Sequence, residues 1–378
     1  MNSNKYDVIV VGGGLFGVTT ALKLAKDRKV VLIERNKDIL QESSYVNQNR
    51  IHHGFHYPRS LETAYESLAG LELLKERFGK HMRSFESYYA IVSEGSLTSP
   101  QDFIKFANTL RDARGVNYKI ANVDQWFLKP RAVSVLLETH EPVMDMAAVR
   151  EDLKKEIAAT KNLTLVTDAA AQALEKEAPF VVRTTRGKFE ADYLVNASFG
   201  NLCWHDHPKA PRVEIQYVEM VELESQKEIP GLTLMDGPTC FGILPIGFSK
   251  TRYWWYSVAY SVHTRVETKS DIKFRPPFYT NWTRMKEQGE SIFTFMPDLK
   301  YVRSHFTPRT LIVDARIDQT AARPSVVSTL TPGFFQVLSG KLTTCMAVAN
   351  EVARRIEEGD QAGDNLAGDG THILKRAA

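Results

Sequence analysis

An α/β fold interrupted by a mostly antiparallel β region is what this sequence predicts. Two observations carry that expectation: a strand–turn–helix–strand unit at Tyr6–Asn36, and dense β patterning from Val213 to Val262. A third supports it. Strand, tight turn and helix return between Pro332 and Glu358, so the chain comes back to the first kind of structure after leaving it.

Val8–Val11 is an apolar run with no polar interruption, as in a strand buried on both faces. Gly12, Gly14 and Gly17 follow in a G-x-G-x-x-G pattern, and Val18, Ala21, Leu22 and Leu24–Ala25 then recur at helical spacing. Val30–Ile33 is a second strand, and it ends in Glu34. These parts fit one Rossmann-like βαβ unit of about 30 residues. In such a unit Gly12 makes the tight turn, Gly14 lets the backbone approach a pyrophosphate, and Gly17 lets the helix pack close to the strand. Glu34 stands where a carboxylate accepts hydrogen bonds from a ribose hydroxyl, which argues against a phosphate there. The unit predicts a dinucleotide and leaves FAD and NAD both open.

The chain's 378 residues exceed one ordinary core. With 43% hydrophobic and 25% charged residues it has the composition of a globular protein. A net charge of +3 with no basic block argues against nucleic acid as a partner, leaving a small molecule. Cys203, Cys240 and Cys345 are far apart and form no C-x-x-C pair. They read as reduced thiols of a cytoplasmic protein, not as a disulfide frame or a metal site. The first strand begins so early that no signal peptide is expected, and no apolar run approaches the ~18 residues of a membrane span. Composition leaves the oligomeric state open.

After Glu34 the run NRIHHGFHYPRS, Asn49–Ser60, gathers three histidines, a tyrosine and two arginines in 12 residues. Gly54 and Pro58 make it a loop. A solvated polar loop and a metal site built on His52, His53 and His56 are both available readings. No nearby Asp or Cys completes a metal-ligand set, so no metal is expected. Its place directly after the βαβ unit favours a cofactor-facing segment.

Ser60–Phe78 reads as one helix closed by Gly79, Phe85–Ser93 as a strand and Gln101–Gly115 as a helix with a glycine stop. Asp145–Ala159 is helical, with Asp145 as its cap, and Leu163–Val166 and Phe180–Thr184 are strands. Leu194–Val195 is a short buried strand running into Asn-Ala-Ser-Phe-Gly, small residues that permit close backbone approach. Val213–Val262 reads as a sheet with one side over a cavity, an inserted substrate domain. Ile272–Met296 is helical in part, Leu311–Asp314 a strand, Phe334–Leu338 a strand and Thr343–Ile356 a helix. The expected division is a discontinuous nucleotide domain of residues 1–84, 142–210 and 306–365, a substrate domain of 85–141 and 211–305, and a frayed tail at 366–378.

The N-terminal unit, NASFG at Asn196–Gly200 and SGKLTT at Ser339–Thr344 occur in the order found in FAD-dependent oxidoreductases of the D-amino-acid-oxidase superfamily. The chain resembles that family over nearly its whole length. SGKLTT is similar to the GGKLTT of flavin-dependent glycerol-3-phosphate dehydrogenases, with Ser339 replacing a glycine. The loop at Arg50–Ser60 looks like that of L-2-hydroxyglutarate oxidases, with Ile51, His52, Gly54 and Tyr57 as the matching residues. The resemblance implies FAD as cofactor. Gly12, Gly14, Leu15, Phe16, Gly17, Glu34 and Arg35 would hold its ADP half, with Ala171 against the adenine. Ser43, Ser44, Asn47, Asn49 and Arg50 would line the ribitol and flavin edge, with Ser198 and Gly200 nearby. Ser339, Gly340, Lys341, Leu342 and Thr343 would lie toward the flavin pyrimidine, where positive charge stabilises reduced flavin.

His52 would sit by the flavin ring, flanked by His53 and Tyr57, and Arg323 would bind the anionic group of a substrate. Arg316, His56 and Tyr256 are further substrate-side candidates. The implied reaction is hydride transfer to the flavin from a C–H bearing OH or NH₂ of a small, anionic hydroxy acid or amino acid, with His52 as base. Two alternatives stand beside it: a flavin amine oxidase acting on a sugar- or carrier-linked substrate, and a non-catalytic FAD-binding or electron-relay protein. Covalent attachment of the flavin through His52 or His53 is a further option. The electron acceptor is left open.

Overall fold

Val8–Val11 and Val30–Ile33 are buried on both faces, and the rest of the first layer is built around them. The computed structural model describes residues 5–199, 207–268, 279–313, 325–338 and 340–359. Strands β1 (Lys5–Val11), β2 (Val30–Ile33), β8 (Leu163–Val166), β11 (Gly187–Asn196) and β19 (Phe334–Leu338) run parallel, and β18 (Val326–Thr331) adds an antiparallel edge. Their order is β18-β19-β11-β1-β2-β8. β1 thus lies in the centre between strands from distant parts of the chain. Helices α1 (Leu15–Leu24), α3 (Leu71–Phe78) and α5 (Met146–Ala159) cover one face together with the C-terminal helix α7 (Cys345–Glu357). A hairpin of β9 (Ala171–Glu177) and β10 (Phe180–Thr184) joins the same sheet by antiparallel pairing of β10 with β11, and the other face is closed by Phe180, Val182 and Phe334.

The second sheet has the order β16-β12-β15-β14-β13-β4-β6-β5. Its strands are β4 (Ser87–Val92), β5 (Lys119–Ile120), β6 (Val133–Thr139), β12 (Val213–Ser225), β13 (Gly231–Met235), β14 (Phe241–Pro245), β15 (Arg252–Ser257) and β16 (Val262–Thr268). All neighbours are antiparallel except β13 and β4. The long β12 pairs along its whole length with β17 (Leu299–Ile312). One face is closed by Trp255, Phe241, Phe293 and Met285, the last from α6 (Trp282–Glu290). The other meets Phe103, Phe106 and Leu110 of α4 (Pro100–Arg114) and Phe55 of the histidine-rich loop. The expected mixed architecture, with an inserted and mostly antiparallel sheet, is therefore present.

The chain crosses between the sheets four times, at α2 (Leu61–Ala69) and α3, at β7 (Pro142–Met144), after β11 and after β17. A short ladder of β3 (Met82–Ser84) with β7 straps the first two crossings. The boundary expected at 306 falls inside β17, which stays in the second sheet to Ile312. Its register against β12 continues unbroken through that point, so the change of layer comes later.

Local signals explain most elements. Ser99 caps α4 through the Asp102 amide, Pro100 occupies its first turn, and Gly115 ends it in the left-handed region. The Asp145 carboxylate accepts from the Ala147 and Ala148 amides at the start of α5. Two expectations change. Ser60–Phe78 is two helices that meet at Gly70, where a side chain would lie 2.3 Å from the Thr343 carbonyl oxygen. The helix expected from Thr343 begins at Cys345, after a 3-10 turn at Leu342–Thr344. The strands β9, largely polar, and β18, at the sheet edge, are additional to the elements expected from the sequence. Among the described residues no helix is long and apolar enough to cross a membrane.

Gly70→Ala would drive a methyl group into the backbone of the 342–344 turn. It is expected to lower stability by about 1–3 kcal/mol, measured by thermal or urea unfolding. A stability equal to the parent protein would show that the two segments separate at no cost.

Candidate functional site

The glycine turn meets the end of β11 before it meets anything else. Gly12 takes a φ of +108°, which disfavours an L side chain, and a Cβ there would lie 2.5 Å from the Ala197 carbonyl oxygen. A Cβ on Gly17 would lie 1.8 Å from the Gly12 carbonyl oxygen. The small residues after β11 therefore let the turn itself approach. Gly14 starts α1 without a side-chain cap, and the Leu15 amide donates to Ser44 Oγ at 2.9 Å. Uncapped amides at a helix start form a cradle for anionic oxygens. Glu34 accepts from the Gly13 amide at 2.5 Å and the Asn36 amide at 2.7 Å, which fixes its carboxylate at the end of β2. Burial raises its pKa, against the pull of these two amides.

A cavity of about 870 Å³ runs from this cradle to the second sheet, in the ~300–1,000 Å³ range of ligand sites. Gly12, Gly14, Leu15, Phe16, Glu34, Arg35, Ser43, Ser44, Asn47, Asn49, Arg50, Ala171 and Ser198 line it, and so do Gly340, Lys341 and Leu342. His52, His56, Tyr57 and Tyr256 are also in its wall. Gly17 sits behind the cradle as the packing contact. His53 and Thr343 are not in the wall. The His53 amide is anchored to Glu141 at 2.6 Å while its ring feels the Lys75 charge of α3, and Thr343 turns its carbonyl to Gly70. Gly200, Arg316, Arg323 and Ser339 lie outside the described residues.

The histidine-rich loop is held from below. Arg50 bridges to Val143, the Ile51 amide donates to the Pro142 carbonyl, and the Met144 amide donates to that of Asn49. Glu141, just before β7, is wholly buried and forms an ion pair with Arg50, whose guanidinium also covers the Tyr89 ring at 4.1 Å. Tyr89 donates its hydroxyl to Glu141 at 2.9 Å, and burial holds its pKa well above the ordinary value, so it stays a phenol. Arg50 is 4% exposed, and its Nη2 has no hydrogen-bond partner among the described residues. A second ion pair joins Lys341 to Glu66 at 3.1 Å, with the Lys341 ammonium 5.1 Å from the centre of the Tyr57 ring.

The His52 ring lies 4.9 Å from that of His56 and 5.7 Å from that of Tyr57. Burial, and then the charges of His56, Arg50, Lys341 and His53, hold its pKa well below the ordinary imidazole value. It is a neutral imidazole at neutral pH. Cys240 is also in the wall, but burial pushes its thiol up to about 12 and keeps it protonated.

Two arginines unassigned from the sequence stand at the substrate-domain side. Arg59 pairs with Asp236 at 2.6 Å. Arg309 of β17 bonds Gln216 and, at 2.8 Å, the Tyr256 hydroxyl, both neutral partners. Among the described residues no carboxylate lies within ion-pair reach of Arg309. No motif surrounds Arg309 in the sequence; only the pairing of β17 with β12 brings it to the cavity.

Amide donors at the cradle, a fixed carboxylate for a ribose and an unpartnered guanidinium nitrogen fit a flavin dinucleotide. A family model described as FAD dependent oxidoreductase matches residues 7–353. The chain is 25% identical over 241 residues to the FAD-dependent monooxygenase FPY4 of Fusarium mangiferae, covering 62% of this chain and 60% of that protein. It is 38% identical over 79 residues to the mitochondrial L-2-hydroxyglutarate dehydrogenase of Caenorhabditis elegans, covering 20% of this chain and 18% of that protein. Each match thus spans less than two thirds of the relative. Among solved structures, NikD, an unusual amino acid oxidase essential for nikkomycin biosynthesis, superposes with a TM-score of 0.75 at 16% identity over 95% of this chain and 96% of that one. Glycine oxidase from Geobacillus kaustophilus gives 0.73 at 14% identity over the same shares. At such identities these two likenesses speak for the fold.

Gly17→Ala is expected to purify without flavin, because its methyl group cannot share space with the Gly12 carbonyl. The ratio of visible to ultraviolet absorbance reads this directly. A yellow variant at full occupancy would contradict the cradle.

Proposed function

Because the chain belongs to the FAD-dependent oxidoreductase family, we propose that it oxidises a C–H bearing a hydroxyl or amino group on a small anionic substrate. The observation that carries this reading is the neutral His52 in the wall of the cavity that begins at the glycine cradle. Bound FAD supplies the hydride acceptor. Gly12, Gly14 and Glu34 would hold its ADP half, Ser44 and Arg50 would line its ribitol and flavin edge, and Gly340, Lys341 and Leu342 would face the flavin ring. His52 takes the proton of a substrate hydroxyl as the C–H bond breaks. An amine that enters neutral needs less of that help.

Arg309 supports the anionic part of the reading. Its charge has only neutral partners among the described residues, and its planar fork suits a carboxylate or phosphate. Arg323 remains a second candidate for the same duty. Arg59 is already committed to Asp236 and shapes the pocket instead. The names of proteins similar to this chain provide a first panel: glycine from glycine oxidase, L-2-hydroxyglutarate from its dehydrogenase, L-proline from the L-proline dehydrogenase of P. horikoshii and glycerol 3-phosphate from the L-α-glycerophosphate oxidase of Mycoplasma pneumoniae, the last two also similar in fold.

Anaerobic addition of each compound should bleach the flavin with at least one of them. Bleaching by dithionite but by none of the four would count against this substrate class and favour a carrier-linked substrate or an electron-relay role. For the compound that reacts, protonated His52 is the inactive form. Its lowered pKa therefore places the acid limb of kcat/KM below the usual imidazole value of about 6.5. Activity is then complete at neutral pH and lost as pH falls through that limb. An acid limb above neutrality would remove His52 from the base role. Arg309→Met should lower kcat/KM for an anionic substrate roughly 10–100-fold and leave flavin content unchanged; equal activity would separate Arg309 from the anion.

A further inference from the structure

We infer that Tyr89, held by Glu141, is a positioning residue that fixes His52 as its Nδ1–H tautomer and leaves Nε2 as the accepting nitrogen. The inference rests on the reading of His52 as the proton acceptor and names the atom that does the accepting. It starts from the direction of two hydrogen bonds.

Glu141 is an ion-paired carboxylate and can only accept. It accepts the His53 amide at 2.6 Å on one oxygen, and its other oxygen is ion-paired with the Arg50 guanidinium. The Tyr89 hydroxyl lies 2.9 Å from that second oxygen, so its single proton goes to Glu141. Toward His52 the same hydroxyl has only lone pairs to offer. His52 Nδ1 is 3.5 Å from it, at the outer edge of hydrogen-bond range, where such contacts often stand before ligand binding closes them. Nδ1 must carry the hydrogen for that contact to be attractive. The neutral ring has only one N–H, so Nε2 is bare.

The opposite tautomer would set the Nδ1 lone pair against those of the tyrosine, or force Tyr89 to turn from Glu141 and leave a buried acceptor unmatched. Tyr89 cannot easily move. Its ring is wholly buried beneath the Arg50 guanidinium and between Phe55 and Phe103. Among the described residues the charges that act most on His52 are those of His56, Arg50, Lys341 and His53, with Tyr57 and Tyr89 against its ring and Glu141 behind Tyr89. The cations oppose protonation of the ring at rest, and none of these groups supplies a carboxylate to Nδ1. Tyr89 is thus the group that decides which nitrogen holds the hydrogen.

The test is ¹H–¹⁵N spectroscopy of the FAD-loaded, ¹⁵N-histidine-labelled protein at neutral pH, with His52 assigned by its loss in His52→Ala. The expected result is a single Nδ1–H tautomer in the parent protein. In Tyr89→Phe, which keeps the ring and removes the oxygen, the expected result is an Nε2–H form or an exchanging mixture at unchanged flavin absorbance. An Nε2–H ring in the parent overturns the inference even if Tyr89→Phe cannot be folded. A pure Nδ1–H ring in Tyr89→Phe overturns the role of Tyr89. Separately, unchanged flavin bleaching by His52→Ala with the same four compounds would remove the base role while leaving the tautomer assignment to the spectra.

Discussion

The buried ion pair between Arg50 and Glu141 is the constraint on which the site depends. Glu141 stands where the chain leaves the second sheet, and Arg50 begins the loop that faces the cavity from the first. One carboxylate therefore ties the two layers beside the cavity, whose wall includes Arg50. A buried pair of this kind contributes little net stability against an apolar alternative, and losing one partner is costly. Its effect here is geometric: with the Arg50–Val143 bridge it leaves the histidine-rich loop one position, and Tyr89 takes its orientation from the same carboxylate.

Charge is distributed along the cavity with the same economy. Arg50 and Lys341 bring positive charge toward the expected flavin end, and each is balanced by a buried or half-buried acid, Glu141 or Glu66. His52 lies among these groups and is kept neutral by burial and by the surrounding cations. Arg309 differs: its partners among the described residues are neutral, and its charge is open to an incoming anion. The cradle, the neutral imidazole and that guanidinium lie in one wall built from both sheets. This arrangement suits an oxidation in which the substrate is held by one layer and the cofactor by the other.

Legibility in the sequence followed locality. Val8–Val11, the three glycines and Glu34 are consecutive parts of one unit, and each lies in the structure where its spacing implied. Ser60–Phe78 reads as a single helix because its apolar stripe continues across Gly70, where the structure divides it and where Thr343, far along the chain, leaves no room for a side chain. β9 is polar enough to pass for a loop, since its partner β10 and not its own side chains holds it in place. Composition marks the loop Asn49–Ser60, but it does not separate His52, in the cavity wall, from His53, which is not in that wall.

The sequence by itself determined the βαβ unit, the dinucleotide cradle and the alternation of an α/β layer with a β-rich insert. Those follow from hydrophobic period, glycine spacing and strand-end residues, which act over a few positions. Tertiary structure alone decided what surrounds His52. Tyr89 is 37 residues away from it, and Glu141 a further 52 from Tyr89. Arg309 likewise reaches the cavity only because β17 pairs with β12. Hydrogen-bond direction, burial and the shift of a pKa are properties of groups brought together across sheets, and no spacing along the chain encodes which groups those will be.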